Sequence, residues 1–336
     1  MLAFALRGLD DKAQQVLRTV AAFRMPARYD TLAALLIGEG KPCADERELD
    51  GVLTELEDRG LVGWDKRANR YDLHPLVRGV VWSGLDDDTR RGIYTSLHAH
   101  FEAAPMIENH LEVNSLEDLT PAIELYNTLI GLGRYDDAAH LFIRHLASAT
   151  LRRLSASRQR IELLELLFPD GLRQLPRLSS QNVQAHVLNS LALGYRFSGH
   201  PRHAISLFRR YHEIHTETEY EDYFGIGPHN LSNTLRLVGA LFESEATVRR
   251  ALAISCEQAN HFKEAIALRW FALTLATRGM ISESEVALRR ALQMFMGWPE
   301  ADQSEGMTNT VLAQRAIWLG TSAAALAFAN RAWELA

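Results

Sequence analysis

The stretch LRLVGALFESEATVRRAL, residues 235–252, returns forty residues later as LATRGMISESEVALRRAL, residues 275–292. Glycines recur at intervals of 40, 40 and 41 residues, at Gly199, Gly239, Gly279 and Gly320. Each glycine follows an apolar helical stretch, and the first three precede a second one. A repeating two-helix unit of this length is typical of a solenoid, in which each unit buries its apolar face against its neighbours. Because a solenoid exposes a long concave surface, the pattern favours binding over catalysis.

Composition narrows the class of protein. The chain has 336 residues, 47% hydrophobic and 23% charged, which indicates a folded protein. A formal net charge of −6 disfavours a general nucleic-acid-binding role, which needs a basic excess. Two cysteines, Cys43 and Cys256, are too few for a disulfide framework. With no export signal and no apolar stretch of about 20 residues, we expect a soluble cytoplasmic protein without a membrane partner. The abrupt start predicts a piece of a longer protein.

The first 84 residues have a different pattern. Helices are predicted from Asp10 or Asp11 onwards, over 29–37 and over 46–59, and a hairpin is predicted over 61–73. Three helices followed by a hairpin is the order of a winged helix. We therefore predict a mainly α chain with three parts: a winged-helix domain at 1–84, a linking helix and connector at 85–118, and a repeat array at 119–336 with an insert at about 152–180.

The third predicted helix argues against DNA binding. Winged helices that bind DNA use the helix before the wing. Between Asp45 and Arg59 this chain has seven acidic and two basic residues, a net charge of −5. A phosphate backbone repels such a face. A protein–protein or interdomain role is the favoured interpretation.

The repeat resembles a tetratricopeptide repeat. The segment GRYDDAAHLF, residues 133–142, is similar to the turn and second-helix start of that motif, in which a small residue five positions after the glycine lies where the two helices touch. In the five units this residue is Ala138, Ala204, Ser244, Ser284 and Ala325. The interval of 40 residues exceeds the 34 of the plain repeat. Longer helices of this kind occur in the sensor arms of bacterial signal-transducing ATPases.

The first domain resembles the winged-helix domain of STAND ATPases, the class that includes NB-ARC and NACHT proteins. The resemblance lies in LDDKAQQVLRTVAAF, residues 9–23, and LDGVLTELEDRGLVGWDKRANRYDLHPLVRGVVW, residues 49–82. In that family a histidine after the leucine of an "LH" segment lies near the bound ADP phosphates. The resemblance implies this role for His74, although Pro75 stands where the more familiar form has Asp. A histidine that simply caps a helix is the other interpretation.

The chain lacks the G-x-x-x-x-G-K-[ST] motif that holds nucleotide phosphates, so it is not predicted to be an ATPase or another enzyme. The resemblance instead implies the sensor and regulatory half of an ATP-dependent switch, of the kind used in signalling or anti-phage defence. ATP or ADP and a nucleotide-binding module are then partners within the parent protein, and no cofactor is expected in this chain. Two alternatives stay open: a transcription regulator of the STAND type and a stand-alone interaction scaffold.

The first helix of each repeat is expected to line the concave side and to bind a protein or peptide ligand. Donor side chains gather at its predicted exposed positions: His186, Asn189, Arg196, His229, Asn230, Asn233, Arg236, Arg269 and Trp270. Guanidinium and amide groups suit an anionic or carboxylate-bearing partner. The competing interpretation is a solvated polar helix face. His212, His215 and Glu219 have a spacing that could hold a metal, but surface residues are favoured, and no metal site is predicted.

Overall fold

Helices dominate the computed structural model, which describes residues 5–217, 226–296 and 302–335. The predicted mainly α class is confirmed in these residues. The chain divides into two compact units: Met1–Gln159 with Glu165–Ser179, and Arg160–Leu164 with Ser180–Ala336. The domain boundaries inferred from the sequence stay a prediction. Of the described helices, none combines the length and apolar character that a membrane crossing needs.

The first unit begins with short helices and three short strands. Its regular elements are α1 (Asp11–Ala22), β1 (Ala27–Arg28), α2 (Tyr29–Leu36), α3 (Glu46–Asp58), β2 (Gly63–Asp65), β3 (Arg70–Asp72), α4 (Pro75–Ser83), α5 (Asp87–Glu102), α6 (Thr120–Gly131) and α7 (Tyr135–Leu141). Helix α7 continues in π-helical turns at Phe142–Leu146 and Ala149–Arg153, and α8 (Ser157–Glu165) follows.

Side-chain caps explain where α1 and α3 begin. The Asp10 carboxylate accepts a hydrogen bond from the backbone N–H of Ala13 at 2.7 Å, and Asp45 accepts one from Glu48 at 2.9 Å. Each cap satisfies a donor that the first turn of a helix leaves unpaired. The apolar stripes of both helices are buried, with Leu17 and Leu53 almost inaccessible. The predicted starts of both helices, at Asp10 or Asp11 and at about Glu46, are therefore confirmed.

A three-stranded antiparallel sheet follows α3, with the strand order β1-β3-β2. In the predicted hairpin Trp64 lies opposite Tyr71, and their rings stack with centroids 5.9 Å apart. The sequence analysis did not predict β1, in which Ala27 pairs with Tyr71 from the other side. A strand of two residues is too short for an alternating pattern to reveal it.

A buried carboxylate on helix α6 binds the backbone that follows the end of α1. Glu124 is fully buried and accepts hydrogen bonds from the backbone N–H groups of Arg24, at 2.9 Å, and Met25, at 2.6 Å. Burial raises the pKa of Glu124 to about 7, although both hydrogen bonds act in the opposite direction. The carboxylate therefore serves as a long-range cap for a segment 100 residues earlier in the chain.

Helix α6 approaches α5 closely at Gly131. A methyl group on this glycine would overlap the ring of Tyr94, which also packs edge-on against Trp82 with centroids 5.1 Å apart. We expect Gly131→Ala to lower the free energy of unfolding by about 2 kcal/mol, because the overpacking outweighs the gain in helix propensity. Urea unfolding followed by circular dichroism measures the change.

Gly92 on α5 provides the matched control. It is helical and exposed, and a methyl group there would meet no atom within 4 Å. Gly92→Ala should therefore raise the free energy of unfolding by about 0.5–1 kcal/mol. If both alanine substitutions changed the free energy of unfolding in the same direction, the close approach of α5 and α6 would be contradicted.

From Gln181 onwards, the described residues of the second unit form four pairs of helices. The first helices are α9 (Gln181–Phe197), α11 (Ile226–Leu237), α13 (His261–Thr277) and α15 (Asp302–Trp318). The second helices are α10 (Pro201–Glu217), α12 (Leu241–Glu257), α14 (Ile281–Phe295) and α16 (Ser322–Glu334). Each second helix packs against the first helix of its own pair, and α10, α12 and α14 also pack against the next first helix. This arrangement is a tetratricopeptide-like helical repeat.

The repeated glycines end the first helices in the left-handed conformation. Gly199, Gly239 and Gly279 all have φ of +82°, and Gly320 has +71°. After each glycine, the next backbone N–H bonds back to the carbonyl four residues before the glycine, as from Met280 to Leu275 at 2.9 Å. Because side chains disfavour this conformation, the recurrence of glycine follows from the helix cap itself.

The small residues five positions after each glycine lie where the helices touch. Ala204, Ser244 and Ser284 are completely buried, which agrees with the predicted contact position. Ser244 also carries a polar contact, since its Oγ bonds to the Ser232 carbonyl at 2.8 Å and lies 3.1 Å from Thr274 Oγ1. Three helices, α11, α12 and α13, are therefore joined by hydroxyl groups inside an apolar interface.

Candidate functional site

Successive first helices contact one another and form one face of the second unit. Helix α9 contacts α11, α11 contacts α13, and α13 contacts α15. All nine predicted ligand-binding residues lie on α9, α11 and α13. We call this surface the first-helix face.

Two arginines occupy equivalent positions on the first-helix face. Arg196 and Arg236 each stand three residues before the capping glycine of their helix, and both are half-buried. Arg236 donates to Asn233 Oδ1 from Nη2, at 3.0 Å, and from Nε, at 3.3 Å. Arg196 packs over the ring of Phe197, 4.9 Å from its centroid. Burial, together with the charge of Arg236, lowers the pKa of Arg196 to about 10.

A pair of side-chain amides joins α9 to α11. Asn230 Nδ2 donates to Asn189 Oδ1 at 3.1 Å, and both residues are half-buried. His186 lies one turn before Asn189 on the same helix. Burial lowers the pKa of His186, and the nearby Arg160 acts in the same direction. The face is therefore rich in hydrogen-bond donors at two levels along α9 and α11.

Three predicted residues are not exposed as the sequence analysis expected. His229, Asn233 and Arg269 are each 3% exposed, so their assignment to exposed positions was wrong. The physical reason is the position of α11 and α13, because each of them packs against second helices and also against neighbouring first helices. Amphipathic periodicity identifies the face of a helix but does not count the helices that cover it.

His229 on α11 and Arg269 on α13 are both buried polar residues of the first helices, which contact each other. Neither ring nitrogen of His229 has a hydrogen-bond partner among the described residues. Burial, and secondly the charges of Arg269 and Lys263, lower the pKa of His229 to about 3. Arg269 donates from Nη1 to the Ser304 carbonyl at 3.0 Å and lies 5.1 Å from the ring centroid of half-buried Trp270. The imidazole is therefore neutral at physiological pH.

The arginines of the first-helix face lack carboxylate partners. Arg196, Arg236 and Arg269 form no ion pair with any residue in the described ranges. Arginines elsewhere in the second unit do form them, as in Arg209–Glu243 at 2.6 Å and Arg249–Glu245 at 2.6 Å. Arg196, Arg236 and Arg269 thus combine partial or full burial with the lack of a carboxylate partner in the described ranges.

One residue of this region escaped the sequence analysis. Arg160 on α8 is 2% exposed and donates from Nε to the Ser190 carbonyl of α9 at 2.9 Å. Burial lowers the pKa of Arg160 to about 10. Because α8 lies in the insert, outside the 40-residue register, no repeat position could have identified this arginine.

His74 lies in the first unit, where its ring caps α4. Its Nδ1 accepts a hydrogen bond from the backbone N–H of Leu76 at 3.2 Å, and the residue is exposed. The interpretation that His74 caps a helix is therefore confirmed. An exposed ring is also compatible with an additional contact, and the nucleotide role stays a prediction.

The weaker metal candidate cannot be assembled from the described residues. Glu219 and the side chain of His215 lie outside them. Within the described part of the chain, no group of three His, Cys, Asp or Glu side chains is arranged to hold a metal ion.

Comparison with known proteins gives only distant similarities. No protein-family model matches the chain, and no curated protein sequence matches it. Among solved structures the chain is similar to a Signal Transduction ATPase with Numerous Domains (STAND) protein with a tetratricopeptide repeat sensor, from Pyrococcus horikoshii, at 16% identity and a TM-score of 0.44. That alignment covers 97% of this chain and 50% of the other, so the chain spans about half the length of the STAND protein.

Two further solved structures are similar to the chain. BtubC from P. vanneervenii aligns at 15% identity and a TM-score of 0.43, over 75% of this chain and 91% of that one. A Rap protein complexed with Competence and Sporulation Factor aligns at 12% identity and a TM-score of 0.42, over 73% of each chain.

Proposed function

We propose that the helical repeats form a non-catalytic binding module that holds an anionic protein or peptide segment against the first-helix face. The observation that carries this proposal is the pair of partly desolvated arginines, Arg196 and Arg236, without a carboxylate partner among the described residues. The proposal concerns the array alone and requires no nucleotide.

The energetic argument starts from the cost of desolvation. Removing a cation from water without a counter-charge costs several kcal/mol in proteins, by order of magnitude. Arg196 and Arg236 are each partly removed from water, so they incur part of this cost and do not stabilise the folded array. An anionic partner would offset that cost, since charge-assisted hydrogen bonds to guanidinium groups are among the stronger ones. Binding is thus a better explanation for these arginines than stability.

The proposal for the first unit is a winged helix that belongs to a STAND-type switch. The order α1-β1-α2-α3-β2-β3 and the antiparallel β1-β3-β2 sheet support a winged helix. The acidic α3 favours a protein partner over DNA. The sequence resemblance at Leu73 and His74 supports a contact between His74 and the phosphates of ATP or ADP bound to a nucleotide-binding module in the parent protein. The winged helix would relay the signal from the array to that nucleotide-binding module.

Peptide selection on the full chain tests the binding module. A phage-displayed random peptide library is selected on the immobilised protein, and the affinity of the recovered peptides is measured by fluorescence anisotropy. We expect Arg196→Glu with Arg236→Glu to weaken binding at least tenfold, because an attractive charge becomes repulsive.

The matched control is Arg202→Glu with Arg250→Glu. Both control arginines are exposed on second helices, and the change in net charge is the same. This control should retain affinity within about twofold, as expected for surface charges away from the binding face. Equal loss in the two double variants would show a general charge effect, and retained binding by the first would contradict the proposed face.

A further inference from the structure

The first-helix face places two like charges side by side between repeats. Arg196 and Arg236 occupy the same position of the repeat on helices that contact each other. Arg236 lies close enough to act electrostatically on Arg196. Neither forms an ion pair with a described residue. At this level of α9 and α11, two positively charged side chains therefore lie on neighbouring helices and repel each other.

Both guanidinium groups are held in place before any ligand arrives. The Nε and Nη2 of Arg236 are engaged by Asn233 Oδ1, which leaves Nη1 without a described partner. Arg196 rests on the ring of Phe197. Groups that are already oriented lose less conformational entropy on binding. The pair therefore has the properties of a pre-organised anion site rather than of two flexible surface cations.

The charge of the pair indicates which anion fits. A single carboxylate carries one negative charge and would leave one of the two cations uncompensated. Two consecutive acidic residues of an extended peptide cannot compensate both positive charges, because successive side chains point to opposite faces of the strand. A phosphoryl monoester carries about −1.5 to −2 charges at pH 7 and three acceptor oxygens, so that it can bridge two guanidinium groups.

The Asn189–Asn230 pair lies at a second level of the first-helix face. It precedes Arg196 by seven residues on α9, which is about 10 Å along a helix that rises 1.5 Å per residue. About three residues of an extended peptide span this distance. Side-chain amides bind main-chain N–H and C=O groups, so this second level favours a peptide as the carrier of the phosphoryl group.

We propose that Arg196 and Arg236 together bind the phosphoryl group of a phosphorylated peptide, whose main chain passes over Asn189 and Asn230 about three residues away. This inference rests on the proposed binding function and adds the chemical class of the ligand. It also assigns the interface between two repeats, rather than one helix, as the recognition element.

Calorimetric titration of the full chain tests the inference directly. The probes are acetylated, amidated Ala₃-Xaa-Ala₃ peptides in which Xaa is phosphoserine, glutamate or serine, with inorganic phosphate and adenosine 5′-monophosphate as non-peptide phosphates. We expect the phosphoserine peptide to bind at least tenfold more tightly than the glutamate peptide and than both non-peptide phosphates. The serine peptide should not bind.

Single substitutions separate binding from structural roles. Arg196→Gln and Arg236→Gln should each weaken binding of the phosphoserine peptide at least tenfold, while Arg202→Gln retains it. Both site variants should have a Tm equal to or above that of the parent, because each removes one of two repelling, desolvated charges. A lower Tm together with unchanged binding would show a structural role and overturn the inference.

The remaining outcomes are also decisive. Equal affinity for the glutamate and phosphoserine peptides would exclude a phosphoryl site, and equal affinity for adenosine 5′-monophosphate would exclude a peptide carrier. If none of the phosphoryl probes binds while library-selected peptides do, the phosphoryl inference fails and the proposed binding function stands. If the library also yields no binding peptide, both fail.

Discussion

Acidification from pH 7 to pH 4.5 is expected to lower the free energy of unfolding of the helical repeats by about 2.5 kcal/mol through His229 alone. Burial and two nearby cations lower the pKa of His229 from 6.5 to about 3 in the folded chain. Below pH 6.5 the unfolded chain binds a proton at this position that the folded chain does not. The contribution is therefore fully present above pH 6.5 and is lost as the pH falls towards 3.

His229→Leu is expected to remove most of this acid sensitivity. Leucine has a similar volume and no titratable group. It also removes two ring nitrogens that lack hydrogen-bond partners among the described residues. At pH 7 the variant should be as stable as the parent or more stable, since a buried polar group without hydrogen bonds is unfavourable. Urea unfolding at pH 7, 5.5 and 4.5 gives the comparison.

The control for this prediction is His203→Leu, on the exposed side of α10. It should leave the pH dependence of unfolding as in the parent. Hydrogen exchange measured on peptides from α11 and α13 assigns the acid-sensitive step to the second unit, because chains with more than one compact unit need not unfold in a single step. Parallel pH curves for His229→Leu and the parent would contradict a buried neutral imidazole.

Phe208→Ala is expected to lower the free energy of unfolding by about 4 kcal/mol, the cost of a large cavity in a well-packed interior. Phe208 is fully buried on α10, four residues after the contact alanine Ala204. The same register position holds Val248 and Leu288 in the next two repeats, and both are fully buried. The substitution therefore removes the apolar anchor of one repeat.

Phe197→Ala is the matched control, in which the same substitution is made at an exposed phenylalanine and a small effect is expected. Phe197 is only eleven residues earlier in the chain but is 57% exposed. Its loss should cost less than about 1 kcal/mol, which includes its contact with Arg196. Thermal or urea unfolding of both variants gives the difference. Similar costs at the two positions would contradict the assignment of inward and outward faces.

Much of this fold could be predicted from local signals. The aspartate caps, the apolar stripes of α1 and α3, and the recurring glycines each act within a few residues, so that the sequence displays them directly. The strand β1 could not be predicted, because two residues show no period and its pairing partner, Tyr71, lies 44 positions later. Long-range pairing of this kind is set by tertiary packing.

The sequence predicted which helices carry the candidate residues but not how deeply those residues are buried. Register placed Asn189, Arg196 and Arg236 on one face, and they lie there half-buried. For His229 and Arg269 the same reasoning expected solvent, whereas neighbouring helices cover both residues. Arg160 was missed because it lies in the insert. Helical periodicity thus gives direction around a helix, while burial depends on neighbours that are distant in sequence.

The hydroxyl contacts of Ser244 determine how this array could be rearranged by gene shuffling. Ser232, Ser244 and Thr274 belong to two consecutive repeats, yet they form one connected group. If the preceding repeat were copied into this place, Ala204 would arrive where Ser244 stands, and Thr274 would lose its neighbour. A grafting boundary drawn at the glycines separates these side chains. The smallest segment that can be transplanted intact is therefore three helices long, from α11 to α13, rather than a single repeat.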